Sequence, residues 1–167
     1  MIQRWRGFFG EYQTPPLSYP IIAIISAGRA KIKRRGEGTQ LSADHAMPGD
    51  IALIPRGQNM AWRVNGEMDV ITVTFASENI CNLLQDIYEH IADNVDSKKY
   101  VGSFNNNYLF TNANHISNVI LSGESNNKAY IESHVQAFGL YIAHYFGKQD
   151  DGLAEFQLHS HTVNYTL

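Results

Sequence analysis

The spacing of apolar and polar positions changes period once along the chain. Residues 19–26 are an almost unbroken apolar run, which predicts a strand buried on both faces or lining a closed barrel. Residues 29–35 alternate loosely and end at Arg35-Gly36-Glu37-Gly38, a glycine-bearing hairpin tip. Pro48-Gly49-Asp50 predicts a turn, residues 51–54 a short strand, and Pro55-Arg56-Gly57 a second turn. Residues 60–64 and 69–75 read as two strands joined by Asn65-Gly66, a strong local hairpin signal because both residues tolerate positive φ. In the second of these, Val70, Thr72 and Thr74 share one face, and Ile71, Val73 and Phe75 share the other.

From Ser77, an N-cap candidate, the period is helical. Ile80, Leu83, Leu84, Ile87, Tyr88 and Ile91 form one stripe. Residues 93–111 are irregular and Asn-rich, which predicts a loop. Residues 112–121 carry Ala113, Ile116, Val119 and Ile120 at helical spacing. After the break at residues 122–127, Ile131, Val135, Phe138, Ile142 and Tyr145 form a narrow seam ended by Gly147. That seam supports two readings equally: a helix covering the strands of its own chain, or one face of a dimer interface. Tyr130, Phe138, Tyr141 and Tyr145 favour the second, because aromatics are enriched at interfaces.

Composition narrows the function classes. Apolar residues make up 44% of the 167 and charged residues 17%, a globular balance. The net charge of −3 argues against binding nucleic acid through a broad basic surface. The single cysteine, Cys81, excludes an internal disulfide framework and reads as a buried, inert thiol. No apolar stretch approaches the roughly 18 residues of a membrane span, and no signal peptide is evident, so a cytoplasmic protein with no membrane partner is expected.

The stretch from Pro48 through Asp50, Ile54 and Pro55 to Gly57 is similar to the second motif of cupins, a glycine turn, short strand and Pro-x-Gly turn. With Trp62, the hairpin tip at 34–38 and the helix at 130–147, the chain from about residue 19 to 148 resembles the N-terminal sensory and dimerisation domain of AraC/XylS-family transcriptional regulators. The resemblance implies a mainly β fold with C-terminal α: a cupin-like barrel (double-stranded β-helix or jelly roll) followed by an antiparallel helical dimerisation region. It divides the chain into an N-terminal arm (1–18), the barrel (19–76), the helical region (77–148) and a linker (149–167). The linker leads toward a helix-turn-helix unit that these residues do not include, so nucleic acid is expected as a partner only through that unit. The implied function is effector sensing and homodimerisation, with Ile131, Val135, Phe138, Ile142 and Tyr145 at the interface.

Alternate barrel residues point inward. The expected ligand-facing set is Ile25, Ala27, Met60, Trp62, Thr72 and Thr74, with Tyr12 from an arm closing the mouth; Ala23 and Val70 share these faces. By the resemblance, Trp62 stands at an aromatic effector position, while Thr72 and Ala27 replace a stacking tryptophan and an arginine of a sugar-sensing member. A small apolar or aromatic effector is expected, or side chains that simply fill the barrel. Two alternatives stand beside the regulator: a metal-dependent cupin enzyme, and a free-standing dimerising adaptor or inhibitor. Against the enzyme, residues 28–38 contain no His, Met60 stands where metal-binding cupins place a ligand, and His45 is alone in the strand half. His159-Ser160-His161 lies in the tail and reads as a pair of solvated side chains. No metal, cofactor or catalytic residue is therefore expected. The basic run Lys31-Ile32-Lys33-Arg34-Arg35 reads as a solvated tip ahead of an anion site, with its charges on opposite faces.

Overall fold

A computed structural model describes residues 1–36, 43–57, 59–93, 104–122 and 128–147. The expected hairpin tip at Glu37-Gly38, the Ile91 and Tyr145 side chains, and the linker with His159 and His161 lie outside them. Their chain order is β1 (Ile2–Thr14), β2 (Ile21–Gly36), β3 (Ala43–Ala46), β4 (Asp50–Ile54), β5 (Met60–Val73), α1 (Glu78–Asp93), β6 (Phe104–Asn105), α2 (Asn107–Leu121) and α3 (Lys128–Gly147).

The strands form one antiparallel sheet in the order β1-β5-β2-β4-β6, with β3 beside β4 along the same edge of β2. Mainly antiparallel β with three helices is the architecture the sequence predicts. The expected barrel is not closed among the described residues, because β1 and β6 are free ends of the strand order. Residues 2–14, expected as an arm, are a full edge strand paired with β5 from Ile2↔Val73 to Thr14↔Met60.

β5 corrects the expected hairpin. Asn65-Gly66 lies inside one strand, because the residues on either side of it pair with β2 and β1, not with each other. Gly66 has φ +120° and lies opposite Ala30; Gly28 has φ +80° and lies opposite Met68. A Cβ on Gly28 would stand 2.3 Å from the Glu67 carbonyl oxygen, and one on Gly66 would stand 2.5 Å from that of Arg29. Two strands therefore bend together at a level where their backbones touch, and only glycine fits on either side. β1 shifts register at the same level, between Trp5 and Gly10.

The two faces build two cores. On one, the rows Ile2–Val73–Ile22–Leu53 and Arg4–Ile71–Ile24–Ile51 cross four strands. There Ile24, Ile51, Ile71 and Val73 pack against Cys81 and Leu84 of α1, Leu109 and Ala113 of α2, and Phe138 and Ile142 of α3. On the other, which we call the inner face, Ile25, Val70 and Met68 from one side of the bend join Ala30, Ala46 and Val64 from the other. A bulge between Ile25 and Ala27 inverts the alternation of β2, so Ala23 and Ile25 face inward before it and Ala30 and Ile32 after it.

The helices are tied on by specific contacts. α1 starts after Ser77, whose carbonyl accepts from the Cys81 N–H. Arg56, in the turn after β4, donates to Glu78, Asn82 and, through its backbone N–H, Gln85. α2 begins at Asn107, earlier than the apolar spacing predicts, because the buried Asn106 caps it and accepts from the Leu109 N–H at 3.0 Å. Asn106 also donates to the Tyr141 hydroxyl, which fixes α3 against α2. No described helix is long and apolar enough to cross a membrane.

Gly28→Ala and Gly66→Ala are each expected to lower stability by about 3 kcal/mol, since each adds a backbone clash to an unfavourable φ. Thermal unfolding followed by circular dichroism checks this. A midpoint within about 2 °C of the parent would contradict the account of the bend.

Candidate functional site

Among the described residues, the inner face is shut in the middle and reaches solvent at one end. The row Trp5–Val70–Ile25 is followed by Gln3–Thr72–Ala23–Ala52. Val70 and Ile25 are buried, whereas Ala23, Ala52 and Thr72 are half-buried, Gln3 is exposed and Trp5 is 49% exposed. A floor of small side chains thus reaches solvent, with one indole standing beside it. The Trp5 indole N–H donates to the Thr72 hydroxyl at 3.2 Å, which holds the ring across the row. The floor offers a methyl surface, one hydroxyl, one carboxamide and one aromatic face, chemistry suited to a flat, weakly polar molecule.

The sequence-predicted residues divide around this floor. Thr72 lies in it and Ile25 in the adjoining row. Tyr12 packs on the inner cluster, with its hydroxyl donating to the Phe9 carbonyl oxygen. Trp62 lies opposite Tyr12, and Met60 is buried opposite Thr14, both toward the far end of β5. Of the remaining two, one is turned off the inner face and one lies past the end of β5. Ala27 lies opposite Asp69, in alternation with Ile71 and Val73, because the bulge at Ser26 turned it over. Thr74 lies beyond β5, where its backbone N–H and hydroxyl both meet the Met1 carbonyl oxygen. Trp5, Gln3 and Ala52 were not anticipated. The signal for Trp5 was its alternation with Arg4 and Arg6 on an edge strand, which does not look amphipathic.

For the helical seam, Phe138 and Ile142 are each 1% exposed inside the chain's own core, and Val135 packs against it. They fill that core and are not presented on the surface; Ile131 is half-buried.

The donor set of the inner face does not fit a caged metal. The two rows at its open end contain no imidazole or carboxylate, one acidic residue, Asp44, lies opposite Ile32 at the other end, and Met60 is packed in. Among the described residues no three His, Cys, Asp or Glu side chains converge. The Cys81 thiol is raised by burial and then by the charge of Glu78, with Arg56 opposing; it stays protonated and donates to the Phe75 carbonyl.

The charged group nearest the floor is structural. Arg4 reaches from the end of an isoleucine row to Asp69 at 3.1 Å and to Asn118 of α2 at 3.4 Å, and Asp69 also accepts the Gly7 N–H. Burial pushes the Asp69 carboxyl up, but the Gly7 and Arg4 hydrogen bonds and the charges of Arg4 and Arg6 outweigh it and hold the carboxyl below its usual value. A depressed carboxylate stabilises the fold above its unfolded value of about 3.9, and that contribution is lost as pH falls through the folded value. Asp69→Asn is expected to lower stability at neutral pH by about 1–2 kcal/mol. Denaturant melts at stepped pH check it: the gap between parent and variant closes below about pH 4. A gap that persists unchanged in acid contradicts the pairing.

No family model matches the chain, and no curated protein matches it. Solved structures align over less than half of it. The Drosophila melanogaster CENP-C cupin domain aligns at 12% identity and TM-score 0.35, covering 44% of this chain and 58% of that domain. A DUF861 family protein from Thermotoga maritima aligns at 16% identity and TM-score 0.33, covering 45% of this chain and 77% of the other. A putative ethanolamine utilization protein EutQ from Salmonella typhimurium aligns at 22% identity and TM-score 0.31, covering 44% of this chain and 54% of that one. This chain thus spans little more than half of the CENP-C domain's length, and at these scores the alignments carry no functional argument.

Proposed function

We propose that this chain is the effector-sensing module of a transcriptional regulator of the AraC/XylS type, built on a cupin-like sheet. It takes a flat, mostly apolar or aromatic small molecule against Trp5, over the row Gln3–Thr72–Ala23–Ala52. The single observation that carries this is the half-exposed indole held over a floor of small side chains that reaches solvent. A closed core would fill that end of the sheet, and a metal enzyme would arm it with imidazoles.

β1, one of the four strands under the floor, also contacts the helices, so occupancy can be transmitted. β1 runs from Trp5 to Arg4 and its partner Asn118 on α2, and α2 packs on α3. An effector that fixes Trp5 favours one placement of β1 over others, and its regulatory force equals its difference in affinity between them. Homodimerisation through the helical region belongs to this reading, using surfaces other than the buried Phe138 and Ile142. A free-standing dimerising adaptor has the same sheet, but it has no use for an open floor.

A thermal-shift screen of small aromatic acids, alcohols and amides tests the site. A true effector at about a hundred times its Kd raises the midpoint by about 5–10 °C. It also changes the fluorescence of a Trp62→Phe variant, in which Trp5 is the only indole. Trp5→Ala abolishes the shift. A screen with no hit, or a shift that survives Trp5→Ala, rejects this site.

A further inference from the structure

The face that carries the helices is covered on one side of the bend only. Beyond Gly28 and Gly66 the same face presents Arg29, Lys31 and Lys33 from β2, Asn65, Glu67 and Arg63 from β5, His45 from β3 and Glu11 from β1, all exposed. The bulge at Ser26 puts the three β2 cations on one side, while Ala30 and Ile32 fill the inner cluster. Lys31 and Lys33 of the basic run share this side with Arg29, while Arg34 holds the alternate position opposite Trp62.

The register makes this face electrostatically unfavourable by itself. Lys33 lies directly opposite Arg63, and Lys31 lies between Asn65 and His45. Like charges opposed across a ladder destabilise a sheet. Glu11 reaches Arg63, with Nε to Oε1 at 2.6 Å, and Glu67 lies opposite Arg29. Among the described residues no ion pair reaches Arg29, Lys31 or Lys33. Among the described residues, four cations face two carboxylates here, a local excess of positive charge in a chain of net charge −3.

We propose that this face docks an extended acidic segment of a partner protein. Alternate side chains of a strand repeat at about 6.7 Å, so an extended peptide with acids at every second position matches the spacing of Arg29, Lys31 and Lys33. The surface is a sheet face with no helix to enter a groove, and its rows hold one ring, the His45 imidazole, short of the series of stacking platforms that single-stranded nucleic acid uses. Beside them β1 exposes one large apolar side chain, Phe9 at 66%, and a single residue of that kind is short of the apolar face that a lipid surface needs. Exposed ion pairs are individually weak, so affinity comes from several together and falls with salt.

The test uses the full chain and a fluorescein-labelled peptide of alternating Glu and Ser, about ten residues long, read by anisotropy. Saturable binding is expected at about 50 mM salt and a loss of at least tenfold at about 300 mM. Lys31→Glu with Lys33→Glu weakens binding at least tenfold. Lys31→Gln and Lys33→Gln each weaken it about threefold and decide the matter if the double variant unfolds. Lys128→Gln, on α3, leaves affinity unchanged. The proposal is overturned by absent binding, by equal affinity in the Lys31 and Lys33 variants, or by tighter binding of a short DNA duplex or phosphatidylserine vesicles.

Discussion

Two backbones touch where Gly28 of β2 meets Met68 and Gly66 of β5 meets Ala30, and the placement of the other elements follows from that contact. A sheet of β-branched residues resists sharp bending, because each Cβ props its neighbour strand away. Removing the Cβ from both strands at one level lets the sheet turn there. Ile25 and Val70 on one side then share a cluster with Ala30, Ala46 and Val64 on the other. The same turn ends the helix-covered region, so the outer faces of β2 and β5 are core on one side of the bend and solvated on the other.

Much of this is written locally. The odd–even division of residues 69–75 separates Ile71 and Val73 from Val70 as the sheet does, and the stripe through Leu84 marks the side of α1 that faces it. The turn at Pro48-Gly49 closes as expected, with the Asp50 N–H on the Met47 carbonyl and the Asp50 carboxylate accepting from the Met47 N–H. These features depend only on residues a few positions apart.

What was illegible depends on partners distant in sequence. Asn65-Gly66 signals a hairpin only if the flanking strands pair with each other, and here each flank has β2 on one side and β1 on the other. One extra residue at Ser26 exchanges the faces of β2, which no apolar count reveals. Arg4 looks incompatible with an isoleucine row until Asp69 and Asn118 are seen beside it. The seam of α3 has one period whether it meets its own chain or another, and Phe138 and Ile142 meet their own. Residues near the open floor inherit the same difficulty, since Trp5 belongs to a strand whose alternation is half charged.

The central place of β5 has a consequence for biogenesis. β1 and β2 leave a ribosome before β5, the strand on which both complete their ladders, and Met1 waits for a threonine 73 residues downstream. Such long-range closure slows folding. Until β5 emerges, the nascent chain holds the apolar run at the start of β2 and the indole of Trp5 without their partners, an interval in which a chaperone or a neighbouring chain can reach them first.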